Sequence, residues 1–149
     1  MVCYKIKIKN KVEKQIGKTK DVGFQFGIRK TFSVSTERVW DFLFSKNGVN
    51  IWLGKLKSEL EIKKEYETEN GTKGLVRVFK PNSHIRLNWK PKNWGNMSTI
   101  QIRVIGNQEK TTIAIHQEKL LNSEQRAEMK EYWNEIMNEI TDEMNKASR

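Results

Sequence analysis

From Phe24 onward, apolar and polar side chains take turns along the chain. Phe24, Phe26, Ile28, Phe32 and Val34 share one parity, interrupted by Lys30, and Gln25, Gly27, Arg29, Thr31 and Ser33 share the other. A strand with one buried face needs that period of two. The period then changes. Ser35 or Thr36 offers an N-cap oxygen, and Val39, Trp40, Leu43 and Phe44 repeat at helical spacing. Asn47-Gly48 predicts the end of this helix. Val49 to Leu53 predicts a second short helical turn, stopped at Gly54. Glu59 to Thr68 is charged but contains Leu60, Ile62 and Tyr66, and reads as an edge strand. Glu69-Asn70-Gly71-Thr72 predicts a tight hairpin turn into a strand from Gly74 to Lys80, because Asn-Gly accepts positive φ. Ile85, Leu87 and Trp89 alternate with His84, Arg86 and Asn88. Ile100, Ile102 and Val104 do the same before a turn at Gly106-Asn107, and Ile113 and Ile115 after it. Met129, Trp133, Ile136, Met137, Ile140 and Met144 mark a last helix, capped by Ser123, with glutamates elsewhere around its axis.

Clean alternation belongs to antiparallel sheets with one wet face. Their apolar face and the stripe of the last helix have to bury each other, which predicts an α+β fold. A curved sheet gripping a helix also leaves room for a concave, mostly apolar cavity, the usual seat of a small ligand. Its candidate lining is Trp52, Trp89, Ile100, Ile102, Gln117, Met129, Trp133 and Met137. The competing reading is that Trp52, Trp89 and Trp133 simply fill the core. On the strand after Gly106, parity turns Gln117 inward with Ile113 and Ile115, and His116 outward with Thr112 and Ala114. Gln117 is thus the polar handle of the cavity, able to donate and accept.

The chain has 149 residues and five tryptophans, which fits one domain with a packed interior. Residues 1–22 read as a basic appendage and 23–149 as the domain. Lys5 to Lys9 alternates like a strand, while Ile8, Val12 and Ile16 also fit one helical face. No apolar run spans a bilayer, and no signal-peptide core follows Met1, so the expected compartment is the cytoplasm.

A formal net charge of +10 invites a nucleic-acid reading, and its distribution weakens it. Residues 1–30 carry nine Lys/Arg against Glu13 and Asp21, whereas residues 118–149 carry five against eight acids. Lysines outnumber arginines 21 to 7, and arginine is the residue that forks onto guanine and phosphate. A lysine-rich solvated surface accounts for the charge without specific nucleic-acid binding.

Local catalytic motifs are absent. His84 and His116 sit at polar strand positions, and no aspartate stands in a triad-like pattern. Glu59 and Glu61, like Glu65 and Glu67, read as solvated strand carboxylates rather than an acid–base pair. Gly17-Lys18-Thr19 resembles the end of a phosphate loop, but Val12 occupies the place of its first glycine. Cys3, His84 and His116 alone do not make a usual structural zinc site. No catalytic residue, metal or cofactor is expected.

Lys30-Thr31-Phe32-Ser33-Val34-Ser35-Thr36-Glu37-Arg38-Val39-Trp40-Asp41, followed by Trp52-Leu53-Gly54, resembles the opening motif of the START-like, or SRPBCC, superfamily. More narrowly, it is similar to the branch named after the activator of Hsp90 ATPase. Pro81 to Trp89 is similar to that branch's proline-led strand ending in tryptophan, and Met129 to Trp133 to the start of its closing helix. The resemblance covers about residues 24–145. It departs where Ser35-Thr36 replaces the usual Pro-Pro, where Leu53 replaces a second tryptophan, and at Gln117, with His116 one position before a histidine of relatives. It implies a helix-grip fold: a curved antiparallel sheet wrapped around a long C-terminal helix, with two short helices after the first strand. It also implies noncatalytic binding of a hydrophobic, lipid- or polyketide-like molecule between sheet and helix. The alternatives are a co-chaperone-like module using its basic surface on an acidic protein partner, and a cyclase-type enzyme.

Overall fold

The alternating segment from residue 23 forms β2 (Gly23–Phe32), the strand against which the rest of the sheet is ordered. The computed structural model describes residues 18–19 and 23–147. Strand-like or helical readings of Lys5 to Ile16, the thiol of Cys3 and most of the loop around Gly17 fall outside those residues. Lys18–Thr19 forms a two-residue strand, β1, that pairs antiparallel with β2.

Ser35 is the cap of α1 (Thr36–Leu43), and its hydroxyl accepts from the Arg38 amide at 3.2 Å. The sequence predicts a helix running to Asn47-Gly48; instead α1 stops at Leu43. Ser45 caps α2 (Lys46–Trp52), so Gly48 lies inside the second helix. The reason is a close approach: a Cβ on Gly48 would stand 1.9 Å from the Phe42 carbonyl oxygen. Here glycine marks contact between two helix ends rather than a stop.

The expected edge strand over residues 59–68 shortens to β3 (Glu65–Glu67). Ahead of it the chain turns, with Lys63 at positive φ and its amide donating to the Val76 carbonyl at 2.7 Å. β4 (Lys73–Lys80) follows through the Asn70-Gly71 turn, with Gly71 at φ 94°. Next come β5 (His84–Trp89), β6 (Ser98–Gly106) and β7 (Thr111–Leu120). The open sheet is antiparallel throughout, in the order β1-β2-β7-β6-β5-β4-β3. α3 (Ser123–Ala147) closes the chain, and its cap is Asn122 rather than Ser123, with Asn122 Oδ1 accepting from the Gln125 amide at 2.8 Å.

α3 buries Met129, Trp133, Ile136, Met137, Ile140 and Met144 against the concave side of the sheet, and exposes Glu124, Glu128, Glu131, Glu135 and Glu139. This is the helix-grip α+β architecture expected from the residue pattern and the resemblance. No helix of the described residues is long and apolar enough to cross a membrane.

Candidate functional site

The candidate lining residues come together under α3. Trp52, Ile100, Ile102, Gln117, Met129 and Trp133 are almost wholly inaccessible, and Trp89 and Met137 nearly so. Gln117 faces inward beside Ile113 and Ile115, and His116 faces outward, its Nε2 2.7 Å from Gln25 Oε1. The β2–β7 register slips only beyond Gln117, so parity holds up to it. Buried in this layer, the Gln117 amide is engaged at both ends. Its Oε1 accepts from Trp133 Nε1 at 2.8 Å, its Nε2 donates to Ser98 Oγ at 3.0 Å, and Ser98 Oγ donates to the Trp89 carbonyl at 2.8 Å. The chain of bonds ties α3 to three strands in succession. Gln117→Leu strands the Trp133 N–H in an apolar layer and is expected to cost about 1–3 kcal/mol; urea denaturation measures it, and an unchanged midpoint would mean that the bond contributes nothing.

Two buried phenols are similarly committed. Tyr66 donates to the Asn88 carbonyl at 2.6 Å and Tyr132 to the Trp52 carbonyl at 2.8 Å. Burial pushes both hydroxyls well above the ordinary phenol range, so they remain donors at neutral pH. Trp89 Nε1 is buried with no hydrogen-bond partner, its ring edge-on to Trp94 at 5.3 Å. Glu118 is buried on the other side of the sheet and accepts from Arg86 Nη2 at 2.7 Å.

An open concavity lies elsewhere. A groove of about 570 Å³ runs between the end of α1, the start of α2, the segment 55–60 and β4. Phe44, Val49, Leu56, Leu60 and Phe79 form its apolar surface, and Lys46 and Lys55 stand among its polar residues, with Glu59 also present. Phe79 reaches it through a bulge in β4. Val76 pairs with Leu87 and Phe79 with Ile85, so the extra residue at Arg77 puts both Val76 and Phe79 on the concave side despite their opposite parity. Phe44 then packs on Phe79 at 5.1 Å and edge-on to Trp52 at 5.8 Å. The groove thus abuts the buried layer through Phe44.

Of these groove residues, Phe44 and Leu60 lie on segments whose periodicity marks them as apolar-facing. Leu56 lies in a loop without periodicity, and strict alternation sets Phe79 opposite to Val76. A lone aromatic against the parity of its strand is the signal that a bulge is present.

Residues 33–145 match the family described as activator of Hsp90 ATPase homolog 1-like protein. No curated protein sequence matches the chain. The crystal structure of CalU16 from Micromonospora echinospora is similar, with a TM-score of 0.69 at 15% identity over 78% of this chain and 71% of that one. The Aha1 dimer from Colwellia psychrerythraea has a TM-score of 0.64 at 13% identity, over 79% of this chain and 93% of that one. An HSP90 activator from Plasmodium falciparum has a TM-score of 0.54 at 18% identity, over 65% and 74%. At such identities the likeness is one of fold.

Proposed function

The chain belongs to the activator of Hsp90 ATPase homolog 1-like family, and from that premise we propose that it is a noncatalytic binding protein for a hydrophobic small molecule. The observation that carries this reading is the groove beside α2: its volume of about 570 Å³ falls within the range of small-ligand sites, and its apolar surface is contributed by separate elements. Lys46, which none of the ion pairs of the described residues engages, favours a ligand with an anionic end, such as a fatty acid, whose chain lies on Phe44, Leu60 and Phe79. The apolar end of such a ligand points toward Phe44, the residue that separates the groove from Trp52 and the candidate lining under α3.

Palmitate titrated into the protein is expected to change tryptophan fluorescence saturably, since Trp40 and Trp52 both contact Phe44. Leu60→Glu places a charge on the apolar surface and is expected to weaken binding by about tenfold or more, the equivalent of ~1.4 kcal/mol. The binding should change little with salt. A steep loss between ~50 and ~200 mM salt would instead indicate binding through several ionic contacts. No saturable response, or unchanged affinity in Leu60→Glu, would overturn the groove as the site.

The second reading is a protein-interaction module of co-chaperone type. It is favoured by the tight burial of the layer under α3 together with Lys80, Arg103 and Arg29 on the opposite face of the sheet. A cyclase-type enzyme has weaker support, because the buried phenols are bonded to backbone carbonyls and Glu118 to Arg86.

A further inference from the structure

The strand register assembles a row of basic side chains on the face of the sheet turned away from α3. Lys80 pairs with His84, His84 with Arg103, Arg103 with Ala114, and Ala114 with Arg29, so one line crosses β4, β5, β6, β7 and β2. Each strand adds about 4.8 Å, so Lys80, Arg103 and Arg29 recur every two strands, about 9.6 Å apart, with His84 and Ala114 between them. The ion pairs of the described residues do not neutralise this row. They engage Lys55, Lys57, Lys64, Arg86, His116 and Lys146, and the nearby Glu118 is taken by Arg86. Among the described residues, Lys80, Arg103 and Arg29 thus stand without an acidic partner.

A second feature lies beside it. Gly27 occupies the interior of β2 without positive φ, and a Cβ there would meet only the Ile115 carbonyl oxygen at 3.7 Å and His116 Cδ2 at 3.8 Å. Neither conformation nor packing requires glycine. With Ala114 it leaves a shallow concavity of about 480 Å³, bordered by Arg29, Arg103 and Ile105. Ile105 is 48% exposed. Glycine inside a strand often marks close approach by another chain or ligand.

We propose that this outer face docks an acidic, extended segment of a partner protein, its carboxylates held by Lys80, Arg103 and Arg29 and an apolar side chain resting on Gly27 and Ala114 beside Ile105. Spacing and charge together select the occupant. A polyproline II segment rises about 3.1 Å per residue with three residues per turn, so acids at every third position project on one side about 9.3 Å apart. That period matches the cations. Arginine adds bidentate geometry for carboxylates. The row contains no Phe, Tyr or Trp on which bases would stack, which disfavours single-stranded nucleic acid. The surface is separate from the groove, and its test is independent of palmitate binding.

The probe is a fluorescein-labelled peptide of three Glu-Pro-Pro repeats, followed by anisotropy at low salt. Wild type is expected to bind saturably, and the double variant Arg29→Gln, Arg103→Gln to bind roughly tenfold more weakly. A control of equal net charge, Lys64→Gln with Lys130→Gln, is expected to bind as wild type does. Amide shifts on binding should centre on Arg29, His84, Arg103 and Ala114. The His84 ring is held below its usual range by desolvation and by the positive charges of Arg103 and Lys80, so its titration midpoint should rise when carboxylates arrive. Equal weakening in both double variants would overturn the proposal in favour of general attraction to a basic protein. Tighter binding of an oligouridylate of equal charge at the same amides would replace the acidic segment with nucleic acid. Self-association at low salt that disappears in Arg29→Gln, Arg103→Gln would identify the occupant as the acidic face of α3 in a second copy, and would also overturn it.

Discussion

Replacing Trp133 with alanine is expected to lower the unfolding free energy by about 3–5 kcal/mol, the usual cost of deleting a buried large aromatic. Two losses combine. The indole is fully buried at the centre of α3, edge-on to Tyr132 at 5.0 Å, and its removal leaves a void that the neighbouring strands fill only in part. Its N–H is also the donor to Gln117 Oε1, so alanine leaves that oxygen buried without its partner. Trp133→Phe separates the terms: it keeps much of the volume and removes the donor, and should cost about 1–3 kcal/mol. Chemical denaturation of both variants measures the difference. A Trp133→Ala midpoint equal to wild type would show that α3 is not docked on the sheet.

Gly48→Ala is expected to cost about 3 kcal/mol, the upper part of the usual overpacking range. The added methyl would meet the Phe42 carbonyl oxygen at 1.9 Å, and the Phe42 and Leu43 carbonyl carbons at 2.9 and 3.0 Å. These are backbone atoms, so no rotamer change relieves the clash; α2 has to move away from the end of α1. That movement pulls on the Ser45 cap, whose hydroxyl accepts from the Gly48 amide at 3.0 Å and donates to the Phe42 carbonyl at 2.6 Å. It also displaces Lys46 and Val49 in the groove. The variant should therefore lose both thermal stability and palmitate binding. Wild-type values for both would show that the two helices are free to separate.

Gly48 also illustrates where reading the chain as a string meets its limit. Asn-Gly is a turn signal when the residues that matter are neighbours, as at Asn70-Gly71, where the strands on either side pair directly. At Asn47-Gly48 the deciding contact is with another element, and the same dipeptide sits within a helix. The segment 59–68 has enough apolar residues for a strand, yet only Glu65–Glu67 forms one, because the chain turns at Lys63 with positive φ and the Lys64 amide is engaged by the Glu61 carbonyl. Gln117 was legible as an inward polar group because alternation on β7 is undisturbed up to that point. Its partners, Ser98 and Trp133, were not, since they come from other elements.

Side-chain period, capping hydroxyls and the α3 stripe depend on residues a few positions apart, and they were enough to reach the order of strands and helices and the burial of one face against α3. The grip itself follows, because an apolar sheet face and an apolar helix stripe each need a cover. What lies open, and which distant side chains meet, belongs to the tertiary structure. One bulge at Arg77 turns Phe79 into the groove, and antiparallel register alone aligns Lys80, His84, Arg103 and Arg29 from four separate strands. Register is set by backbone pairing between segments far apart in the chain, and a one-residue slip moves every side chain to the other face. A local pattern contains the parity of each strand, but not its alignment with the next.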